Sequence, residues 1–376
     1  MKAVIVCTPY QIFTAISFRS SGIFDSEVDM IILNYFDMAV KIGERIKEKG
    51  LFHDVYIVNS RHMSQKTING NKYVNWFYRL QYLCQCNELV PELFGQSKVP
   101  KYQELWYSFD DIFVLMLAKY LTKQSHLKIN LFEDGTGSYT EAMRKKKKRW
   151  YYLLMRVLNM PEQMQSYNPL PLYLYHPQMA SFSIEQKVYS IPKVTDEDIY
   201  RNQINDIFDW KIEYEIKEPV IFLDGLFGDI NSSNSMQINT CKILADSFGI
   251  DNLIIKKHPR RIDNIYEENG FKCYKGENLP FEVFCLNCHF SNKLIVSGFS
   301  TAAFTPDLLF HQKVKVIFLY KYYLNGRAII DAEKYIHLYK EYRGGNNIYE
   351  PQDEETLKGL LKGIFVSGGG VYDIAT

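Results

Sequence analysis

Short apolar runs recur along this chain, each closed by turn-forming or polar residues and followed by a stretch with helical spacing. Residues 4–7 are the first such run; it ends at Thr8-Pro9 and passes into a helical pattern, which reads as strand, loop, helix. Further strands are predicted at 30–33, 54–58, 105–109 and 128–132, with an amphipathic stretch at 112–121 between two of them. A second series follows residue 218, with strands at 220–223, 253–256, 294–296 and 314–319 and helical patterns at 235–248, 281–288 and 301–309. Strands that alternate with helices in this way form parallel sheets covered on both faces, an α/β fold.

One hydrophobic core stops growing near about 250–300 residues, and this chain has 376. Two doubly wound, Rossmann-like domains are therefore expected, over 1–150 and 219–345. A linker with some helix is expected over 151–218, where Pro161, Pro169, Pro171, Pro177 and Pro192 interrupt any strand period. Residues 346–376 read as a helix, at 354–365, and a loose tail carrying Gly368-Gly369-Gly370. Two such sheets facing a central cleft make the GT-B type of architecture, which does not by itself fix a function. In open parallel sheets ligands sit beyond the carboxyl ends of strands, so chemistry belongs just after each strand.

Composition removes several classes. The 44 Lys+Arg against 43 Asp+Glu leave a net charge of +1, too little field to hold a nucleic acid. No run approaches the roughly 20 apolar residues of a membrane span. The apolar start at 3–7 is broken by Thr8, Pro9 and Gln11, so it reads as a first strand and not as a secretory leader. Seven cysteines without such a leader fit reduced thiols in a cytoplasmic protein. The 15% of aromatic residues suit cores, sugar-lined clefts and membrane interfaces alike.

Three constellations follow strands. After 128–132 come Glu133-Asp134-Gly135-Thr136-Gly137-Ser138-Tyr139, where a carboxylate could take the proton of a sugar hydroxyl and the glycines let a backbone approach a ligand; an acidic turn is the bland account. After 253–256 come His258, Pro259 and four cations, Lys256, Lys257, Arg260 and Arg261, a mixture suited to phosphate. After 294–296 come Ser297-Gly298-Phe299-Ser300-Thr301, with Ser300 and Thr301 where a helix N-cap should stand and where hydroxyls and free amides would receive an anion.

The runs FEDGTGSY at 132–139, KKHPR at 256–260 and SGFSTAAF at 297–304 resemble the acidic-acidic-Gly, His-Pro and Ser/Thr motifs of bacterial sialyltransferases. Among those the chain most resembles glycosyltransferase family 52, the lipooligosaccharide and capsule sialyltransferase group, whose members also open with a strand and a run like Cys7-Thr8-Pro9-Tyr10-Gln11. The resemblance implies an inverting transfer of sialic acid from CMP-sialic acid to a terminal sugar hydroxyl, commonly galactose, of a glycan or glycolipid. The N-terminal domain would face the acceptor and the C-terminal domain would hold the nucleotide sugar. It implies His258 as the acid at the leaving phosphate, Ser300 and Thr301 as phosphate-binding hydroxyls and Glu282 on the ribose, with Gly225, Lys256, Pro259 and Arg260 around the donor. For the base, family 52 points to the loop Leu223-Asp224-Gly225-Leu226-Phe227-Gly228-Asp229, with Asp229 first and Asp224 as substitute. Related families use the acidic pair, here Glu133 or Asp134. No metal or cofactor is expected, because a single leaving phosphate can be met by hydroxyls, amides and a histidine.

Other motifs have plainer accounts. Cys285-Leu286-Asn287-Cys288-His289 spells a haem-attachment pattern, and with Cys84 and Cys86 offers thiolates for zinc, yet buried thiols explain both. Asp196-Glu197-Asp198 reads as the acidic first turn of a helix capped by Thr195, and His176-Pro177 as structural. The six cations at 144–149 abut Trp150, Tyr151 and Tyr152; this stretch is either a solvated helix face or a peripheral contact with anionic lipid at the inner face of a membrane. A homodimer is compatible with the sequence, which does not decide the oligomeric state.

Overall fold

Val4, Ile5 and Val6 are β-branched and wholly buried, and they make the centre of the first strand, β1 (Lys2–Val6). Thr8 then caps the helix Pro9–Ser20 by accepting from the Gln11 amide at 3.2 Å, with Pro9 opening the helix where its missing N–H costs nothing. The computed structural model describes residues 1–25, 27–96, 98–123, 126–139, 149–166, 168–181, 187–192, 194, 197–225, 230–258, 261, 263–276, 279–324 and 327–373, with the backbone alone at 136, 230–232, 301, 327, 328 and 331. They form two compact units, Met1–Phe208 and Asp209–Thr376.

In the first unit β1 is joined by β2 (Val28–Leu33), β3 (Val55–Val58), β4 (Glu104–Tyr107), β5 (Lys128–Phe132), β6 (Leu172–Leu174) and β7 (Val188–Ser190). Every pairing is parallel, in the order β3-β2-β1-β4-β5-β6-β7. Much of the aromatic excess goes into this unit's core. Phe18, on the first helix, meets Phe24, Trp106 and Phe132 at ring-centroid distances of 5.2, 5.5 and 5.6 Å.

The region from 151 to 218 corrects the expectation of a linker. It supplies the edge strands β6 and β7 and the helix Glu197–Phe208, all within the first unit. Strands of three residues are too short to show a period, and Pro171, directly before β6, still serves the sheet by accepting from the Leu131 amide at 2.8 Å.

In the second unit β8 (Val220–Leu223), β9 (Leu253–Lys256), β10 (Leu294–Ser297), β11 (Lys315–Phe318) and β12 (Ile348–Tyr349) pair in parallel in the order β12-β11-β10-β8-β9. β8 to β10 are buried along their whole length, as the continuous apolar runs implied. The end of the chain departs from a helix and loose tail. The helix stops at Leu361, and β13 (Ile364–Ser367) and β14 (Gly370–Asp373) make an antiparallel hairpin turned by Gly368 and Gly369 at φ 55° and 75°. That pair of left-handed residues is what a two-residue hairpin demands, so the glycines mark a turn and not disorder. No helix among the described residues is long and apolar enough to cross a membrane.

Candidate active site

In the second unit the strand order reverses direction between β8 and β10, and such a switch point opens a crevice at the strands' carboxyl ends. β8 ends in Asp224 and Gly225, its neighbour β9 in Lys256, Lys257 and His258, and its other neighbour β10 in the turn leading to Ser300. Three of the predicted segments therefore meet at one edge.

Asp224 is the hub of that edge. Its side chain is wholly buried and accepts from the His258 amide at 2.9 Å, from Arg261 Nη2 at 2.7 Å, from the Tyr266 hydroxyl at 2.8 Å, and from Arg261 Nε. With its two oxygens shared among four donors, Asp224 staples the His-Pro loop to β8. The His258 carbonyl closes the same loop by accepting from the Arg261 amide at 2.8 Å. Gly225 is clamped in parallel: its N–H donates to Gln237 Oε1 at 2.9 Å and its carbonyl accepts from Gln237 Nε2 at 2.8 Å.

The basic cluster is thus less cationic than it reads. Arg261 is neutralised by Asp224, and Lys257 Nζ bonds Glu267 at 2.8 Å. Lys256 lies buried above the rings of Tyr274 and Phe281, 5.7 and 6.0 Å from their centroids. Burial lowers its pKa, against the attraction of Glu282 and Asp224. Glu282, on the helix Phe281–Asn287, is buried beside it; burial raises its pKa, and Thr305 Oγ1 donates to it at 3.4 Å. Asp229, Pro259, Arg260 and the side chain of Thr301 lie outside the described residues.

Ser300 does stand at the N-cap position, with φ −122° and ψ 129°, but the segment after it starts as a 3-10 turn, Thr301–Phe304, before the helix Thr305–Phe310. The Ser300 hydroxyl makes no capping bond to that turn. The residue is partly exposed.

The acidic pair belongs to the first unit, after β5. Glu133 is buried and accepts from the Tyr10 hydroxyl at 2.7 Å, from the Tyr175 amide at 3.0 Å and from the Tyr139 hydroxyl. Asp134 is partly exposed and accepts from Gln11 Nε2 at 2.8 Å, while its own amide donates to Ser138 Oγ at 2.8 Å. Burial raises the Asp134 pKa, opposed only by the Gln11 bond. Gly135 takes φ 79°, a left-handed turn that a glycine makes without strain.

Sequence reading missed the residues that hold these groups. Gln237, Tyr266 and Thr305 carry no motif, and only their positions on helices behind a strand hint at a role, whereas Gln11 reads as part of the Cys7-to-Gln11 run without its bond to Asp134. Gln11 is wholly buried and binds the Cys7 amide at 2.6 Å as well as Asp134. Cys285 is buried and Cys288 Sγ accepts from the Ile216 amide at 3.4 Å, which accounts for both thiols in packing terms. Among the described residues no group of three or more His, Cys, Asp or Glu side chains is placed to hold a metal ion. A cavity of about 360 Å³ lined by Arg19, Leu51, Ile199, Tyr200 and Gln203 lies at the amino ends of the first sheet, the pole away from Glu133 and Asp134.

No protein-family model and no curated protein sequence matches the chain. Solved structures do. The α/β-galactoside α-2,3-sialyltransferase of the luminous marine bacterium Photobacterium phosphoreum is similar at a TM-score of 0.50 and 12% identity, over 93% of this chain and 98% of that one. Arabidopsis thaliana UGT89C1 complexed with UDP is similar at a TM-score of 0.51 and 10% identity, over 96% of this chain and 88% of that one. The fold is the GT-B glycosyltransferase type, as two doubly wound parallel sheets suggested.

Proposed function

We propose that the protein is an inverting glycosyltransferase that moves sialic acid from CMP-sialic acid to a terminal sugar hydroxyl, with galactose as the first acceptor to try, on a bacterial surface glycan. The observation that carries this reading is the convergence of Gly225, His258 and Ser300 at the adjacent carboxyl ends of β8, β9 and β10 in a chain with this fold. The acceptor oxygen forms the new bond to the anomeric carbon and gives its proton to a carboxylate. The bond from that carbon to the phosphate oxygen breaks, the oxygen keeps the electron pair, and His258 protonates it. Ser300, the backbone after it and His258 offset the phosphate charge, so the reaction as written calls for no metal. Among the described carboxylates Asp134 suits the base: it is partly exposed, has a raised pKa and is held by a neutral donor. Asp229 is the rival for that role.

Assaying CMP release from CMP-sialic acid with a galactoside, beside CMP-Kdo and UDP-hexoses, tests the donor; no turnover with CMP-sialic acid would overturn it. The UDP-hexose alternative draws on the UDP-bound neighbour, whose similarity equals that of the sialyltransferase. His258→Ala is expected to lower kcat by about 10²–10⁴-fold with donor affinity kept within several-fold. Ligand binding with no turnover in the unmutated chain would instead mark a non-catalytic binding protein.

A further inference from the structure

The first unit carries an apolar surface turned outward. On the helix Arg149–Val157 only Met155 is buried, while Trp150, Leu153 and Val157, spaced three and four residues apart on one stripe, are 48%, 62% and 71% exposed. On the helix Lys72–Cys84, Tyr73 and Phe77 share a stripe in the same way and are 85% and 64% exposed. Trp76 joins the two stripes, its ring 5.4 Å from that of Trp150 and 6.4 Å from that of Tyr151. A monomer in water seldom leaves such an area bare without a use for it.

The charge on these two helices and their flanking residues has one sign, although the exposed Asp110 acts on Tyr151 from a neighbouring loop. Residues 61–87 and 149–161 contain no Asp or Glu, but they include Arg61, Lys66, Lys72, Arg79, Arg149 and Arg156. All of these except Arg79 are exposed. The remaining cations of the run, at 144–148, lie outside the described residues. Aromatic and aliphatic side chains ringed by cations match a lipid surface with anionic headgroups: the rings sink to the headgroup level and the cations meet phosphate. A second copy of the same face would bring like charges together, which disfavours a symmetric dimer through it.

We propose that this face, formed by the helices Lys72–Cys84 and Arg149–Val157, docks the protein on an anionic membrane surface. Lipid binding of this kind requires nothing about the donor and stands or falls apart from the transferase reading. The full chain is floated with vesicles of phosphatidylcholine alone and with about one-third phosphatidylglycerol added. Binding is expected with the anionic vesicles only, weakened by high salt. Arg149→Gln with Arg156→Gln should weaken it by about fivefold per cation. Phe77→Ser with Leu153→Ser should weaken it by at least about tenfold, and both side chains are exposed, so thermal melts should match the parent. Equal partitioning to both vesicle types, or full binding by the serine variant, overturns the proposal. A dimer in sedimentation velocity that the serine variant dissociates also overturns it and assigns the face to self-association.

Discussion

Asp224 after β8 and Asp134 after β5 occupy the same kind of place, the carboxyl end of a parallel strand, and their surroundings are opposite. Asp224 faces a guanidinium that stays charged at any pH the protein will meet, together with a backbone amide and a tyrosine, all in a site closed to water. Asp134 faces a neutral Gln11 amide and some solvent. One carboxylate is enclosed by donors and staples a loop; the other meets a neutral partner and solvent. Residue type at a strand end does not separate scaffold from chemistry, whereas the partner does. Glu133, with two tyrosine hydroxyls and an amide as its donors, is buried and enclosed in the first unit as Asp224 is in the second.

Removing one member of the Asp224–Arg261 pair should have the greatest consequence for stability. Asp224→Ala leaves the buried Arg261 with the more exposed Asp263 as its remaining ionic partner, and Arg261→Ala leaves Asp224 buried without its guanidinium. Each should cost about 3–5 kcal/mol, a large share of the roughly 5–15 kcal/mol that holds a folded protein together. Urea unfolding measures the loss, and the double variant should cost much less than the sum of the two. A loss below about 1 kcal/mol would mean that the pair does not staple the His258 loop to β8.

Asp134→Asn should behave in the reverse way. Asn keeps an oxygen to accept from Gln11 and cannot take a proton, so kcat is expected to fall by about 10²–10⁴-fold. Stability should move the other way. A carboxyl whose pKa is raised by folding adds stability that is fully present below its unfolded pKa and is lost as pH rises through its folded value. At neutral pH the wild type carries that penalty and Asp134→Asn does not, so the variant should melt higher than the wild type at pH 7, with the gap closing in acid. An unchanged kcat would shift the base to Asp229, tested by Asp229→Asn.

Most of the sheets could be read in advance because a strand buried on both faces is a near-continuous apolar run, as β8 is throughout and β9 and β10 are up to their last residues, Lys256 and Ser297. The carboxyl-end placement of Asp134, His258 and Ser300 followed from those strands. What each charge pairs with did not. Lys256, Lys257 and Arg261 look alike in sequence, but Lys257 goes to Glu267, Arg261 goes to Asp224 after the neighbouring strand, and Lys256 lies over two rings. Such pairings depend on side-chain direction and long-range contacts that no local pattern encodes. The same limit hid β6 and β7, whose three residues each are fixed by neighbours and not by their own periodicity.

A serine at a helix start can cap the helix or bind an anion, and the two uses differ in what the loss of its hydroxyl costs. A capping serine replaced by alanine costs about 0.5–2 kcal/mol of stability. Ser300 makes no capping bond, so Ser300→Ala should leave urea unfolding unchanged within about 0.5 kcal/mol. If its hydroxyl instead meets the donor phosphate, a bond to a charged group worth about 1.5–3 kcal/mol is lost. The donor KM should then rise by roughly 10–100-fold while His258, on the neighbouring loop, still supports turnover. Lost stability with an unchanged KM would place Ser300 with Asp224 among the residues that only hold the fold.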